Sequence, residues 1–437
     1  MGENSNMSKA PNSQFEIKAP NYSAIDPLNK GLGPTDGEID PERAAELGWS
    51  LLNEDLSLPA AVLYKEKLEH NLAWMRDFTE AYGVKLAPHG KTTMAPRLFE
   101  MQLASGAWGI TLATAHQTLV AYRHGVRRVL MANQLVGKRN MATVSELLAD
   151  PGFEFYCLVD SGELVRLLSE FFGQRGQRLR VLVELGVAGG RAGVRDDEQL
   201  GEVLDAIECG KGTVVLSGVE VYEGVLAEEH GIRNFLRFAV RVTRELESGG
   251  RFGQSPALLS GAGSAWFDVV AEELTSAGLG DGVEIVLRPG CYLTHDAGAY
   301  RMAQARMLKS NAVACGLGTG LECALHIWAY IQSVPEPGRA IVGLGRRDAA
   351  FDSGLPVPAL YFRPGRDAAP APAPSEWRLT RIMDQHAFLE TGAGARVQPG
   401  EMVGFDICHP CLTFDKWRAI AVVDSSYRVV ELVQTYF

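Results

Sequence analysis

The chain has 437 residues, of which 46% are hydrophobic, and its formal net charge is −11 at pH 7. This length predicts two domains, and the acidic balance argues against a nucleic-acid partner because no basic stripe is present to neutralise phosphates. No run of about 18 apolar residues is present, so no membrane span is expected. The polar N-terminus lacks an apolar signal core and the seven cysteines follow no disulfide pattern, so we expect a cytoplasmic protein with free thiols.

The first elements precede a regular repeat. Residues 1–59 are expected to form an N-terminal extension that packs on a C-terminal β domain, with a helix over 41–52. A short apolar run at 60–64 predicts a strand. The next stretch, 65–82, predicts an amphipathic helix, because apolar residues recur on one face at Leu68, Leu72, Met75 and Phe78.

From Val84 onward, short apolar runs alternate with helical stretches. The runs show no strong alternation of polarity, which is typical of strands buried on both faces. Eight such units predict a closed parallel (β/α)8 barrel of the TIM type within residues 60–298, and an open doubly wound sheet is the alternative. The eight runs lie at 84–88, 108–114, 128–136, 153–160, 180–186, 216–224, 257–263 and 284–290.

After Gly290 the repeat ends, and residues 299–437 predict an antiparallel β domain. Alternating Ala and Pro at 368–374 predict an exposed loop, since proline cannot donate to a sheet ladder. The expected strands lie at 306–313, 325–333, 339–342, 377–383, 386–389, 402–407 and 418–423.

Polar residues follow the predicted barrel strands at the end where barrels carry their active sites. Lys91 lies in a turn after the first strand, where desolvation lowers an amine pKa and favours Schiff-base formation with an aldehyde such as pyridoxal phosphate. His89 can orient or tune that lysine. The glycine-rich run 260–264 follows the seventh strand and predicts a phosphate cup. On Lys91 alone, a solvated loop lysine is the competing interpretation.

A second group of candidate residues is Cys408-His409-Pro410-Cys411. On a strand, residues i and i+2 face the same side, so His409 and Cys411 can reach one ion. Imidazole and thiolate suit Zn²⁺. A purely structural pair is the alternative.

Four segments together resemble the fold-type III pyridoxal-phosphate enzymes, in the branch of D-serine dehydratase and D-threonine aldolase. They are Pro88–Thr93, Gly109–Thr114, Ala132–Gly137 and Leu287–Tyr292. The resemblance covers residue 60 to the C-terminus and implies an alanine-racemase-like barrel, a C-terminal β domain and a homodimer. It implies that Lys91 binds the cofactor aldehyde. It further implies that the phosphate is held by Ser260, Gly261, Gly263 and Tyr292, and that the ring is lined by Asn133, Arg191 and Tyr222.

The resemblance also implies an activity. The dehydratase branch carries a His-x-Cys pair that binds a divalent metal, whereas the aldolase branch tends to have His-x-Asp, so His409 and Cys411 favour the dehydratase. We therefore expect a D-serine dehydratase that converts D-3-hydroxy amino acids to a 2-oxo acid and ammonia, with Lys91 and His89 as catalytic residues. Zn²⁺ is the expected ion and Mn²⁺ the alternative. A D-threonine aldolase, a metal-free racemase and a non-catalytic pyridoxal-phosphate-binding protein are the competing hypotheses.

Overall fold

The structure is a computed structural model and describes residues 23–437. Residues 1–22 of the expected N-terminal extension lie outside this range. Two sheets organise the chain: an eight-stranded parallel sheet and a ten-stranded, mostly antiparallel one. The predicted fold class, a parallel barrel with an antiparallel β domain, is thereby confirmed. In the part of the chain that is described, no helix is long and apolar enough to cross a membrane.

Strand β1 (Ala60–Tyr64) belongs to the mostly antiparallel sheet, and the next eight strands form the barrel. In the barrel the last seven strands pair with their sequence neighbours, and the first strand pairs with the last. The remaining gap is closed by two bonds, Trp108 N–H to the Leu86 carbonyl at 2.7 Å and Thr111 N–H to the Pro88 carbonyl at 2.9 Å. This closure excludes the open sheet. The barrel strands are β2 (Lys85–Leu86), β3 (Ile110–Leu112), β4 (Arg128–Gln134), β5 (Glu154–Val159), β6 (Leu179–Leu185), β7 (Val214–Val221), β8 (Ala257–Gly261) and β9 (Val283–Leu287).

Eight helices surround the barrel strands and share one apolar core with them. The first of them ends at Gly83, whose φ of 65° is left-handed, and it buries the four apolar residues predicted for its inner face. The helices are α1 (Lys65–Tyr82), α2 (Pro96–Ala104), α3 (Ala115–Arg123), α4 (Lys138–Leu147), α5 (Gly162–Gly173), α6 (Asp197–Cys209), α7 (Glu229–Ser248) and α8 (Phe267–Ser276).

Two helices, α9 (Ala299–Ser310) and α10 (Ala312–Gly316), lead from the barrel into the β domain. The strand predicted at 306–313 is therefore wrong. Arg306 binds the Asp268 carboxylate at 2.8 Å and Met307 is buried, so this segment packs as a helix against the barrel wall. Asn311 then caps α10 through the Ala314 N–H at 2.9 Å.

The β domain holds the remaining strands and one short helix. The loop predicted at 368–374 is wrong in part, because Ala371–Pro372 forms a short exposed strand paired with Leu360 and Tyr361 at the sheet edge, where proline is tolerated. The elements are β10 (Leu325–Glu336), β11 (Arg339–Val342), β12 (Val357–Phe362), β13 (Ala371–Pro372), β14 (Arg378–Ile382), β15 (Ala387–Glu390), β16 (Met402–Asp406), α11 (Cys411–Phe414), β17 (Ala419–Val423) and β18 (Val429–Gln434).

Residues 23–59 lie against the β domain, where Trp49 and Leu51 share a core cluster with Trp328. The helix predicted over 41–52 is a 3-10 helix that ends at Leu47, because Gly48 turns the chain with a φ of 67°. Residues 60–64, which the expected boundaries assign to the barrel domain, pair with β10 and β17 instead. The N-terminal part of the described chain is thus built into the β-domain sheet.

The close approach of β7 and β8 gives a prediction about stability. A Cβ atom added at Gly218 would lie 2.1 Å from the Leu258 carbonyl oxygen, and neither backbone can move without breaking the ladder. We expect Gly218→Ala to lower the free energy of unfolding by about 3 kcal/mol in urea titrations. The control is Gly201→Ala in α6, where nothing lies within 4 Å and the free energy should rise by about 0.5–1 kcal/mol. Wild-type stability of Gly218→Ala would contradict this packing.

Candidate active site

A cavity of about 530 Å³ opens at the carboxyl ends of the barrel strands, and the β domain contributes part of its wall. It contains eight of the eleven predicted site residues, drawn from both domains. Helix α11 brings the β-domain residues there by contacting the turn that carries Lys91. The eight are His89, Lys91, Asn133, Arg191, Tyr222, Gly263, His409 and Cys411.

The structure places the other three predicted residues, Ser260, Gly261 and Tyr292, away from the cavity. The Ser260 hydroxyl is buried and donates to the Val286 carbonyl at 3.1 Å. A Cβ atom at Gly261 would face the barrel core rather than a ligand, and the Tyr292 ring is buried in that core. Ser260 and Gly261 therefore do not take part in the predicted phosphate cup, because the last residues of β8 still face the interior.

Backbone N–H groups after β9 converge on the cavity. The N–H groups of Gly290 and Cys291 both point at Ser264 Oγ, at 3.1 and 3.0 Å. A Cβ atom at Gly290 would lie 2.7 Å from the His89 carbonyl oxygen, so only glycine allows this approach. Adjacent N–H groups with a hydroxyl form an anion site that suits a phosphate. The residues were within reach of sequence reasoning, because they lie in two glycine-containing segments that it singled out.

The loop after β8 presents a second pair of N–H groups, held by a carboxylate that sequence reasoning missed. Ala262 and Gly263 donate to Glu223 at 3.2 and 2.6 Å. Ala262 has a φ of 87°, a left-handed conformation that non-glycine residues rarely adopt. Glu223 is buried, and burial raises its pKa. We infer that Glu223 fixes the shape of this loop.

A buried ion pair forms the floor of the cavity. The Arg288 guanidinium donates to the Glu220 carboxylate and to the Val221 carbonyl, and burial raises the pKa of Glu220 to about 7. Within residues 23–437, Arg288 Nε and Glu220 Oε2 are buried without a hydrogen-bond partner. Buried polar atoms in this state can bind a further polar partner, such as a water molecule or a ligand. Arg288 follows a barrel strand directly, which is the signal that could have identified it.

Lys91 lies on the 3-10 turn Gly90–Thr92 after β2, with its side chain open to the cavity. Partial burial lowers the pKa of its amine, and the guanidinium groups of Arg191 and Arg288 lower it further, against the opposing effect of Cys411. Burial, with Lys91 nearby, also holds the pKa of His89 well below its usual value, so the imidazole is neutral. The lysine amine is therefore available as a nucleophile toward an aldehyde.

Arg191 is a half-exposed guanidinium at the side of the cavity. It lies 4.6 Å from the centroid of the Tyr222 ring and 3.9 Å from the Glu184 carboxylate. Gln134 holds Glu184 with a 2.6 Å hydrogen bond. Asn133 donates to the Ala113 carbonyl at 3.2 Å. Arg191 is thus held in place but keeps N–H groups that can donate to an anion.

His409 and Cys411 lie together at the cavity, although not for the predicted reason. Strand β16 ends at Asp406, so the pair lies in a turn and at the start of α11 rather than on a strand. His409 Nδ1 is 2.7 Å from an Asp352 carboxylate oxygen, which orients the ring. No three His, Cys, Asp or Glu residues between 23 and 437 are arranged to hold a metal. The pair therefore offers two protein donors and leaves further positions to other ligands.

The sulfur of Cys411 is in an unusual environment. It lies 3.7 Å from the Cys291 sulfur and 3.5 Å from Thr92 Oγ1. Hydrogen bonds from Cys291 and His409 hold the pKa of Cys411 far below the usual value for a thiol, and the same contact raises the pKa of His409 to about 9. The thiolate is the form of a cysteine that can bind Zn²⁺.

This environment predicts selective alkylation. In chelator-treated protein at about pH 6, iodoacetamide should label Cys411 faster than the exposed Cys209, because the thiolate is the reactive form. His409→Ala should slow labelling of Cys411 and leave Cys209 unchanged. Peptide mass spectrometry measures both rates. Equal labelling of the two cysteines would contradict the thiolate assignment.

A lysine and a backbone anion site at the mouth of a (β/α)8 barrel, covered by a β domain, define the alanine-racemase-like class of cofactor enzymes. The family model "Alanine racemase, N-terminal domain" matches residues 64–274, and "Putative serine dehydratase domain" matches residues 324–423. The chain belongs to the D-serine dehydratase-like family of fold-type III pyridoxal-phosphate enzymes.

Individual relatives are D-amino acid lyases. D-threonine aldolase from Arthrobacter sp. is 25% identical over 367 residues, 84% of this chain and 88% of that protein. The crystal structure of D-threonine aldolase from Filomicrobium marinum matches with a TM-score of 0.73 and 25% identity, covering 91% of this chain and 98% of that one. D-threo-3-hydroxyaspartate dehydratase from Delftia sp. is 29% identical over 143 residues, 33% of this chain and 37% of that protein. Its structure matches with a TM-score of 0.69 and 22% identity, covering 89% of this chain and 99% of that one.

Proposed function

We propose that this protein is a pyridoxal-phosphate- and metal-dependent D-serine dehydratase that eliminates the β-hydroxyl of D-3-hydroxy amino acids. The products are a 2-oxo acid and ammonia. The observation that carries the proposal is the meeting of Lys91 with the His409–Cys411 pair in one cavity. A racemase needs no such pair, and a non-catalytic carrier needs neither the pair nor the β domain.

The residues present fit the cofactor. The N–H groups of Gly290 and Cys291 with the Ser264 hydroxyl suit its phosphate, and Lys91 suits its aldehyde. Arg288 carries a buried Nε without a partner among the described residues, so it would be able to donate to a polar atom of the bound cofactor. When bound, pyridoxal phosphate supplies an electron sink for charge that develops at the substrate Cα.

The chain's own residues supply the proton transfer and the orientation. Lys91 Nζ has a lowered pKa, so a neutral amine is available to accept the Cα proton of the substrate. Arg191, half-exposed at the side of the cavity, binds the substrate α-carboxylate. His89 stays neutral below Lys91 and adds no cation that would repel the protonated amine.

The donor set at α11 fits a divalent metal. Asp352 holds His409 Nδ1, so the other ring nitrogen is left to bind an ion, and Cys411 supplies a thiolate. When bound, a Zn²⁺ ion acts as a Lewis acid on the β-hydroxyl leaving group. A cysteine-to-alanine variant of the Delftia dehydratase was solved in a metal-free form, and a histidine two positions earlier was also replaced. That spacing matches His409 and Cys411. Mn²⁺ is the alternative ion, and the homodimer stays a prediction.

D-threonine aldolase is the second candidate, favoured by the similarity to the Arthrobacter enzyme over 84% of this chain. The same site would cleave Cα–Cβ if a base removed the hydroxyl proton. Incubation with D-serine and D-threonine, with oxo acid, ammonia, glycine and aldehyde assayed together, tests the choice. Oxo acid and ammonia support the dehydratase. Glycine and acetaldehyde from D-threonine as the main products would overturn it in favour of the aldolase.

The role of Lys91 gives the first functional prediction. The purified protein should show the visible absorption of lysine-bound cofactor, and Lys91→Ala should abolish both this band and turnover. The matched control is Lys85→Ala, an exposed lysine of the preceding strand, which should retain both. A borohydride-reducible adduct that persists in Lys91→Ala would show that another lysine binds the aldehyde.

The role of the metal gives the next prediction. Cys411→Ala, or exhaustive chelation, should lower kcat on D-serine by about 100-fold or more, because loss of a Lewis acid costs several kcal/mol. The cofactor absorption should remain, since its contacts lie on the barrel. Cys411→Asp supplies a harder donor, so metal should be retained and activity shift toward Mn²⁺. Cys209→Ala is the control for cysteine loss.

Elemental analysis of each variant measures metal content. Full activity on D-serine after chelation, with no metal detected, would show that the pair is structural.

A further inference from the structure

Few cations in the cavity are free to bind a substrate. Among the described residues that line it, the lysine and arginine side chains are Lys91, Arg191 and Arg288. Lys91 is committed to the cofactor in the proposed function. Arg288 is engaged by the Glu220 carboxylate and the Val221 carbonyl. Arg191 remains, with 54% of its side chain exposed and its nearest carboxylate 3.9 Å away. One guanidinium can bind one substrate carboxylate.

Two large apolar side chains line the cavity, and one of them directly follows the His409–Cys411 pair in the chain. Leu412 follows Cys411 directly and is 41% exposed, and Phe437 is 53% exposed. Both line the cavity. Covering such exposed apolar side chains with an apolar group of a ligand is favourable, because it removes apolar surface from water. The side of the cavity that holds the leaving hydroxyl is therefore suited to an apolar neighbour on the same carbon.

An acidic residue also lines the cavity, three positions after Leu412. Asp415 lines the cavity near Leu412, and Lys416, which pairs with it at 3.5 Å, is not among the lining residues. A second carboxylate on the substrate β-carbon would meet two apolar side chains and a like charge. Placing a carboxylate there without a partner is costly, and like-charge contacts work against binding.

We infer that the site selects D-3-hydroxy amino acids whose β-substituent is hydrogen or an apolar group, and rejects those that carry a second carboxylate. This inference rests on the proposed function and specifies its substrate class. Leu412 and Phe437 are the specificity-determining residues, and Asp415 reinforces them. The Delftia relative, by contrast, is named for a dicarboxylic substrate, 3-hydroxyaspartate.

Steady-state kinetics of the holoenzyme test the selectivity. The value of kcat/KM for D-serine, D-threonine or D-phenylserine should exceed that for 3-hydroxy-D-aspartate by about 100-fold or more, since an unpaired carboxylate is rejected strongly. Comparable kcat/KM values for 3-hydroxy-D-aspartate and the neutral substrates would overturn the inference.

Charge-matched variants test the residues. Phe437→Lys and Leu412→Lys introduce a cation, and Phe437→Met and Leu412→Met are unbranched, uncharged controls of similar length. In the lysine variants, the ratio of kcat/KM for the neutral substrates to kcat/KM for 3-hydroxy-D-aspartate should fall by about 10-fold. Each lysine supplies the missing partner for a second carboxylate. The methionine variants should keep the wild-type ratio. Lysine and methionine variants that behave alike would overturn the assignment of these two residues.

A binding assay separates this inference from the proposed function. D-alanine and D-aspartate lack the β-hydroxyl, so their binding can be followed by the change in cofactor absorption without elimination or cleavage. Tighter binding of D-alanine supports the inference even if no β-hydroxy substrate turns over, in which case the proposed dehydratase alone fails. Equal or tighter binding of D-aspartate overturns the inference, whichever reaction the enzyme catalyses.

Discussion

The ion pair between Arg288 and Glu220 is the interaction on which the site depends. It joins the ends of β9 and β7 at the floor of the cavity, with the guanidinium also bound to a backbone carbonyl. Burying two charges costs more than a surface pair would, and the cost is offset only by good geometry and further hydrogen bonds. Among the described residues, Arg288 Nε and Glu220 Oε2 each lack a hydrogen-bond partner. The pair can therefore bind a further polar partner, such as water or a ligand, through these atoms.

Burial and local hydrogen bonds set the protonation states around this ion pair. His89 and Lys91 both lie near Arg288, and both have pKa values below their usual ranges, burial being the main cause in each. The pKa of Cys411 is also lowered, but for a thiol a lowered pKa favours the charged form. The cavity thus combines a neutral imidazole, an amine that deprotonates readily and a thiolate. Carbonyl chemistry and metal binding need these forms, and neither domain alone provides all three.

Sequence periodicity predicted the barrel well because its strands are buried on both faces, which leaves a simple apolar signal. The β domain was harder: the segment around Met307 is apolar enough to suggest a strand, but its packing against the barrel wall makes it a helix. The local sequence pattern also misplaced Ser260 in the phosphate cup, because sequence does not show which residues of β8 still face the core. Sequence reasoning missed Glu223 because its partners are the N–H groups of Ala262 and Gly263 in the next loop. These groups meet Glu223 only in the folded chain.

The division of the site between two domains has a consequence for its chemistry. The groups suited to the phosphate and aldehyde of a cofactor lie on the barrel, whereas His409, Cys411 and Leu412 lie on α11 and the turn before it. Substitutions in this short segment can change the groups on that side of the cavity without altering the barrel residues. Relatives of one fold that include both aldolases and dehydratases are the expected result of such an arrangement. The segment that follows β16 is therefore where the lining of the cavity is most readily altered without changing the barrel residues.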